Sequence, residues 1–318
     1  MVEQLVWAAI KFAAVLGFMS FNAIFLVWLE RKVAGFIQYR YGPMVTGKPH
    51  GWLQTIADAV KLLAKEDIIP ALADRKIFIL APLVMIVPTF LLHIVIPFGP
   101  NLIVKDMEMG VLYFFAVSGF TTLAVVMAGW ASNNKYSLLG AIRAIAQLIG
   151  YELPLIISVA AVVLLAGSMS TQEIVQSQAS WPYVILQPIG FLVFFIAALA
   201  ELNRVPFDLL EAESELVAGY NTEYSGMRWA FFFLAEYGNL AVMSAMIVTL
   251  FLGGWQGPIL PPLVWFLLKI YLVAFVIIWF RWTFPRVRPD QLSKLGWKYL
   301  LPASLVNLAL TSLYVVFI

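Results

Sequence analysis

The chain has 318 residues, of which 62% are hydrophobic and only 12% are charged, and its formal net charge is +2. With a mean hydropathy of +0.90, this composition excludes an ordinary soluble domain and indicates an integral membrane protein, while the small net charge gives no sign of nucleic-acid binding. The chain has no cysteine and only two histidines, which excludes disulfides, thiolate-held iron–sulfur clusters and a haem or His-rich metal centre of its own. Any redox cofactor is therefore expected in another polypeptide.

Apolar runs of about twenty residues, the length that crosses the hydrocarbon core as a helix, recur along the whole chain. They predict an all-α integral membrane protein with about eight transmembrane helices, forming a single polytopic membrane domain over residues 1–318. The N-terminus has no basic cluster and no small-residue cleavage site, so we expect a retained first span and not a signal peptide. The predicted spans are 5–29, 77–97, 110–130, 142–167, 183–202, 229–253, 262–282 and 299–318.

Basic residues are distributed unevenly between the loops. The loop after the first span contains eight Lys and Arg, whereas the even-numbered loops together contain one, Lys105. By the positive-inside rule, the odd-numbered loops face the cytoplasm or an equivalent compartment, and both termini lie on the outer side.

The first long loop contains an amphipathic segment at residues 51–66. Its apolar side chains recur at helical spacing and its polar ones follow the other face, so we expect a helix in the plane of the membrane interface. Asp58 and Lys61 are spaced to pair on this helix. The segment is either a solvated surface helix or the floor of a cavity that a lipophilic ligand enters from the bilayer.

Ionisable residues at membrane depth are functional candidates by default because they are costly there. Lys11 is expected to extend toward the interface, and His93 to be an interfacial residue with its hydrogen bonds satisfied. Glu236 is expected to face a cavity or to relay protons. Glu152 lies two residues before Pro154, which frees a backbone carbonyl and opens space beside the carboxylate.

Residues 201–226 hold six of the 18 acidic residues against a single base, Arg204. Crowded, poorly hydrated carboxylates bind protons more tightly, which suits a proton-handling function. Pro206 predicts a helix that ends near Arg204 and a second helix that begins at the proline, with Asp208 in its first turn. Apolar residues between the acids favour a packed segment over a hydrated loop.

Several sequence stretches resemble the signature of one family. They read ERKVAGFIQYRYGP, LQTIADAVKLLAKED, RAIAQLIGYEL, and ELNRVPFDLLEAESELVAGYNTEYSG followed by WAFFFLAEY. Together they resemble the H subunit of NADH-quinone oxidoreductase (respiratory complex I), known as subunit 1 in mitochondria. The resemblance covers essentially the whole chain and departs at Met44, where the family usually has Asn.

This resemblance implies a membrane subunit of a proton-pumping NADH:quinone oxidoreductase, a translocase whose redox centres lie elsewhere. Loops 30–76 and 203–228 would form the face for the quinone chamber and for docking the peripheral arm. The implied partners are the peripheral-arm quinone-site and iron–sulfur subunits, together with small and antiporter-like membrane-arm subunits. Quinone, such as ubiquinone, would be the substrate, with iron–sulfur clusters and FMN in partner subunits only. The implied location is the cell (inner) membrane or the equivalent organelle membrane.

The resemblance also implies three groups of functional residues, and no catalytic or metal-binding residue in this chain. The quinone chamber and its entrance would include Glu30, Arg31, Arg40, Asp58, Lys61, Glu66 and Arg204. The acidic loop for proton coupling would include Asp208, Glu211, Glu213, Glu215 and Glu223. The buried proton path would include Glu152, Glu201 and Glu236.

Three alternatives stay open from the sequence. A homologous subunit of an ion-translocating membrane-bound hydrogenase would bind no quinone. A stand-alone proton-coupled transporter would work when purified alone, although no internal repeat supports it. A purely structural anchor would tolerate single carboxylate substitutions.

Overall fold

The structure, a computed structural model, describes residues 2–210 and 213–317, and the side chains of all of these except residues 2–5, 8, 213 and 214. The described residues are mainly helical, and they contain no β-strand. His93–Val95 and Gly219–Asn221 are single 3₁₀ turns, and a π-helical segment, Leu295–Leu300, joins the last two helices. The α-helices are α1 Val2–Ile37, α2 Gln54–Ala64, α3 Arg75–Leu92, α4 Gly110–Ala131, α5 Lys135–Ala166, α6 Thr171–Ser177, α7 Tyr183–Leu186, α8 Pro188–Glu201, α9 Glu213–Leu216, α10 Gly226–Phe251, α11 Pro262–Thr283, α12 Pro289–Lys294 and α13 Leu301–Phe317.

Seven helical segments of the described chain are long and apolar enough to cross a membrane. They are Ala9–Ile37, Arg75–Val95, Gly110–Ala131, Lys135–Ala166, Gly226–Phe251, Pro262–Thr283 and Pro289–Phe317. Together with the shorter apolar helix α8, they confirm the predicted all-α membrane architecture. The orientation of the termini stays a prediction.

The predicted fifth span, 183–202, is divided into the short helix α7 and helix α8. Pro188 begins α8, and Gln187 before it has a non-helical backbone (φ −131°, ψ 62°), as expected for a residue that precedes proline. At 1.5 Å per residue α8 is about 21 Å long, shorter than a hydrocarbon core of about 30 Å. The Gln187 side chain donates to the Ala161 carbonyl (3.0 Å) and to Thr311 Oγ1 (3.1 Å), which ties the break to α5 and α13.

Helix α10 forms the centre of the bundle, and nearly all of its C-terminal half is buried. Gly238 permits the close approach of α3, because a Cβ atom there would lie 2.6 Å from Thr89 Cγ2. Beside this contact, Thr89 Oγ1 donates to Asn239 Oδ1 (2.8 Å), which joins α3 to α10.

Helix α2 lies across α1 and α10, as the amphipathic pattern predicts. Trp28 of α1 stacks on Trp52, just before α2, with ring centroids 3.9 Å apart. Arg31 Nη1 lies 2.5 Å from Asp58 Oδ2, so the predicted pairing of Asp58 with Lys61 is wrong. Asp58 faces α1, so its carboxylate pairs with Arg31 of that helix and not with Lys61 of its own helix.

The two membrane-depth residues with simple expectations differ in outcome. Lys11 extends out of α1 to donate to the Val104 carbonyl (2.7 Å), in keeping with the prediction. His93 is only 1% exposed; Nδ1 lies 2.9 Å from the Thr89 carbonyl oxygen. Its Nε2 has no hydrogen-bond partner among the described residues, so the prediction of a fully satisfied interfacial histidine is wrong. The ring is enclosed, and Phe18 of α1 packs edge-on against it with ring centroids 6.1 Å apart.

Lys269 of α11 fixes the chain that follows α10. Its Nζ donates to the carbonyl oxygens of Leu252, Gly254 and Gln256 at 2.7, 3.0 and 2.8 Å. We expect Lys269→Met to lower stability by about 1–3 kcal/mol, because three carbonyls lose a charged donor. Thermal unfolding of the purified complex measures this loss. Lys11→Met, which removes one exposed contact, serves as the control, and equal melting temperatures for the two variants would contradict the prediction.

Candidate functional site

Five side chains form a group around the buried Glu30 and Arg204 that we call the Glu30 cluster, comprising Glu30, Arg204, Glu236, Tyr237 and Arg281. Glu30 Oε2 accepts from Arg204 Nη1 (3.2 Å) and from the Tyr237 hydroxyl (2.8 Å). Its other oxygen, Oε1, accepts from Arg281 Nη1 (2.6 Å). Arg204 Nη2 lies 3.0 Å from Glu236 Oε1. The cluster thus joins α1, α10, α11 and the turn after α8.

The charges of the Glu30 cluster balance when all of its acids and bases are ionised. Two carboxylates face two guanidinium groups, and Glu30 and Arg204 are 5% and 2% exposed. The Arg204 guanidinium also lies 4.7 Å from the centre of the Tyr237 ring, an arrangement that favours a cation over an aromatic face. Removing one of the four charged members would leave an uncompensated charge in a poorly hydrated place.

The turn that carries Arg204 differs from its prediction. Residues 202–210 contain no helix, and the Val205–Pro206 peptide is cis, so the predicted helix starting at Pro206 is wrong. The apolar side chains on both sides of Asp208 are buried. Their burial holds this segment against the bundle in a non-helical conformation. Asp208 Oδ2 lies 3.6 Å from Arg286 Nη2, so a side chain and not a helix end faces this acid.

A small cavity of about 40 Å³ lies beside the Glu30 cluster. Glu201 and Glu236 line it, together with the amides of Asn203 and Asn239. Its volume suits about two or three water molecules. The Glu201 carboxylate forms no ion pair with a described residue, whereas Glu236 is paired with Arg204. Glu201 and Glu236, two of the three carboxylates of the predicted buried path, therefore line the same cavity, but only Glu236 forms an ion pair with a described residue.

The acidic loop is attached to the first half of α5. Arg143 Nη1 donates to Glu215 Oε2 (2.5 Å), and Asn134 Nδ2 donates to Glu223 Oε1 (2.6 Å). The Arg143 hydrogen bond and positive charge lower the pKa of the Glu215 carboxyl, which is opposite to the rise expected from crowding of acids alone. Glu211 lies outside the described residues, as does the side chain of Glu213.

Glu152 is exposed on α5 in the isolated chain, and its place in the buried proton path stays a prediction. Tyr151 and Pro154 are buried, and the Tyr151 hydroxyl donates to the Leu292 carbonyl (2.8 Å). Because those neighbours point into the bundle, the helical period turns Glu152 away from it. The carboxylate lies well inside an apolar span, on a surface that the isolated chain leaves open.

A larger cavity of about 600 Å³ lies between α1, α2 and α10. The predicted entrance residues Arg31, Asp58 and Lys61 line it. Arg40 is exposed and donates to Gln38 Oε1 (2.6 Å) outside the lining, and Glu66 offers its backbone carbonyl to Ser225 Oγ (3.3 Å). The structure therefore brings only part of the predicted entrance group to this cavity.

An aromatic row on α10 connects the large cavity to the Glu30 cluster. Trp229 and Phe233 line the cavity and stack with ring centroids 5.0 Å apart. Phe233 lies 4.8 Å from Tyr237, whose hydroxyl binds Glu30. The spacing of four residues puts the three rings on one face of the helix.

Sequence reasoning missed two members of the Glu30 cluster. Arg281 belongs to the basic residues that set the topology, although it lies in the last turn of α11 and reaches inward. Tyr237 follows Glu236 directly, and its spacing from Trp229 and Phe233 was a usable signal. Neither pattern identifies Glu30 as the common partner, because that contact joins residues more than 200 positions apart.

Comparisons with known proteins agree on one family. The sequence model described as NADH dehydrogenase matches residues 10–312. The chain is 52% identical to the NADH-quinone oxidoreductase H subunit of Dehalococcoides mccartyi (strain CBDB1) over 311 residues, which cover 98% of this chain and 86% of that protein. It is 55% identical to the proteins of the same name from Bacillus thuringiensis (strain Al Hakam) and Bacillus mycoides (strain KBAB4), over 310 residues that cover 96% of this chain and 92% of each relative.

Proposed function

This chain belongs to the family of the NADH-quinone oxidoreductase H subunit, and on that premise we propose that it forms the membrane end of a quinone chamber and couples quinone reduction to proton movement. It acts inside a multi-subunit complex of the cell membrane. Its partners are peripheral-arm subunits, which hold FMN and the iron–sulfur clusters, and further membrane-arm subunits. Quinone is the substrate of that complex, and this chain contributes no redox centre.

The large cavity is the observation that carries this proposal. Its volume of about 600 Å³ lies within the range of roughly 300–1,000 Å³ that is usual for small-molecule sites. Apolar side chains of α1 and α10 suit an isoprenoid tail, and the stacked Trp229 and Phe233 rings suit a planar headgroup. The basic residues Arg31 and Lys61 at its rim would attract the negative charge of a reduced quinone.

Charge transfer to the quinone would disturb the Glu30 cluster. Two-electron reduction creates negative charge and a demand for two protons. A unit charge at 4 Å is worth about 4 kcal/mol at an effective dielectric constant of 20, so an anion near the cavity end competes with Glu30 and Glu236 for Arg204. A weakened Arg204–Glu236 pair would favour protonation of Glu236. Glu201, which lines the same small cavity, would then be the next carboxylate to exchange a proton.

Glu152 would pass the effect to a neighbouring subunit. An exposed carboxylate inside an apolar span is costly against lipid, so a membrane-arm subunit is expected to cover this face of α5. The attachment of the acidic loop to the same helix, through Arg143 and Asn134, links loop position to Glu152.

Substitution of Glu201 tests the coupling role. We expect Glu201→Gln to lower the number of protons pumped per electron pair in proteoliposomes, because an amide cannot take up a proton, while the complex still assembles. Glu152→Gln should act in the same direction. Glu173→Gln, which changes an exposed acid on α6, is the control. Normal pumping by assembled Glu201→Gln and Glu152→Gln complexes would refute the proposed path.

The identity of the complex is tested separately. Affinity purification of the tagged chain from native membranes should recover subunits that transfer electrons to quinone, measured with several electron donors. An associated nickel–iron hydrogenase without quinone reduction would favour the rival function.

A further inference from the structure

Asn239 of α10 is the side chain of the small cavity whose amide has a free end. Its Oδ1 accepts from Thr89 Oγ1 of α3 (2.8 Å). Its Nδ2 has no hydrogen-bond partner among the described residues, yet it retains exposed surface. Because Asn239 lines the small cavity, this nitrogen is a donor that opens onto a polar space large enough for water.

The other uncharged groups of this lining differ from Asn239. Asn203 is engaged at both ends of its amide: Oδ1 accepts from Gln147 Nε2 (3.2 Å), and Nδ2 donates to the Glu201 backbone carbonyl (3.4 Å). Thr122 also lines the cavity, but a hydroxyl both donates and accepts, so it does not fix the orientation of a water molecule. An amide NH₂ group only donates, so a water molecule bound to it must accept, and its own two hydrogens point elsewhere.

Two carboxylates of the small cavity are suitable acceptors for those hydrogens. Glu236 lies three residues before Asn239 on the same face of α10, and Glu201 reaches the cavity from the end of α8. In the part of the chain that the structure describes, no hydrogen bond joins Glu201 to Glu236. A proton that passes from one carboxylate to the other therefore needs a carrier, and one water molecule can serve as such a carrier.

We propose that Asn239 Nδ2 holds a water molecule in the small cavity as the proton carrier between Glu236 and Glu201. The proposal rests on the proposed function, since it takes these two carboxylates as members of the proton path. The protonated Glu236 carboxyl gives its proton to the water oxygen while the same water gives one of its own protons to the Glu201 carboxylate, so the water is regenerated. Asn239 is a positioning residue and takes up no proton.

Asn239→Leu replaces the amide with an apolar side chain of similar shape. In the intact purified complex in proteoliposomes, we expect the rate of quinone-driven proton pumping to fall about three- to tenfold, as the loss of one hydrogen bond predicts. The slowing of pumping in D₂O should become larger than in the wild type, because proton transfer then limits the rate. Asn239→Ser keeps a donor and leaves room for water, so it should recover most of the pumping rate.

Thr89→Val separates positioning from packing. Both Thr89→Val and Asn239→Leu remove the hydrogen bond between α3 and α10, so both should lower the melting temperature of the complex. Only Asn239→Leu removes the free donor, so Thr89→Val should keep the wild-type pumping rate and the wild-type solvent isotope effect. If Asn239→Leu does not assemble, the smaller apolar variant Asn239→Val is measured in the same way.

The outcomes distinguish this proposal from the proposed function. If Asn239→Leu pumps at the wild-type rate while Glu201→Gln pumps poorly, the proton path stands and this proposal is wrong. Equal losses of pumping in Asn239→Leu and Thr89→Val would also overturn it, because the amide would then act through packing alone. Normal pumping by Glu201→Gln would refute the proposed path itself.

Discussion

Replacing Arg204 with Met should destabilise the protein by about 3–5 kcal/mol, the cost of leaving a buried charge without its partner. Glu30 would keep Arg281 and Tyr237, but Glu236 would lose its only ion-pair partner among the described residues. We expect little of the variant in assembled complexes on native gels and a sharp loss of quinone reduction. Normal assembly and activity would show that the Glu30 cluster tolerates charge imbalance.

Two further variants make this test specific. Arg143→Met breaks the exposed pair with Glu215, and exposed ion pairs contribute little to stability, so assembly should be nearly normal. Adding Glu236→Gln to Arg204→Met removes the uncompensated carboxylate and should recover part of the stability, a coupling that a double-mutant cycle measures. Strictly additive losses in the cycle would contradict a direct Arg204–Glu236 interaction.

Ala230→Trp should block the large cavity. Ala230 lines the large cavity beside Trp229, whose ring stacks on that of Phe233. An indole at position 230 would occupy space that the proposed headgroup needs. We expect kcat/KM for quinone to fall about tenfold or more, since overpacking a formed site costs about 1–3 kcal/mol. Electron transfer to a water-soluble acceptor such as ferricyanide, which bypasses the cavity, should stay normal.

A matched substitution controls for the bulk of tryptophan. Leu112 on α4 is 56% exposed and lies outside both described cavities, so Leu112→Trp should leave quinone kinetics unchanged. Equal losses in the two variants would mean that Ala230→Trp acts through folding, and full activity of Ala230→Trp would exclude this cavity as the quinone path.

The membrane architecture was predictable because hydrophobicity and span length act locally. Each apolar run identifies its own helix, and the amphipathic period of residues 51–66 identified α2. The fifth span is divided for a local reason as well: hydropathy gives the length of an apolar run, whereas Pro188 decides where its helix begins. Pro206 led to the opposite error, a predicted helix that does not form. A proline marks the start of a helix only where the residues after it can adopt helical geometry.

The site was less predictable because its geometry depends on long-range contacts. The motifs grouped Arg31, Asp58 and Lys61, which line one cavity, and Glu201 and Glu236, which line another; the roles of these residues stay predictions. They could not tell which face of α5 carries Glu152, since the period fixes relative angles and not the direction of the core. Asp58 pairs with Arg31 and not with Lys61 for the same reason.

The different burial of the ion pairs makes ionic strength an experimental tool. Mobile ions reduce the attraction between exposed charges, with a screening length of about 10 Å at 0.1 M salt, but they act weakly on buried pairs. Raising the salt concentration should therefore loosen the Arg143–Glu215 attachment, whose side chains are 33% and 52% exposed, and leave the Arg204–Glu30 pair intact. A salt titration of the coupling ratio would then separate what the acidic loop contributes from what the buried charges contribute, without any substitution in the chain.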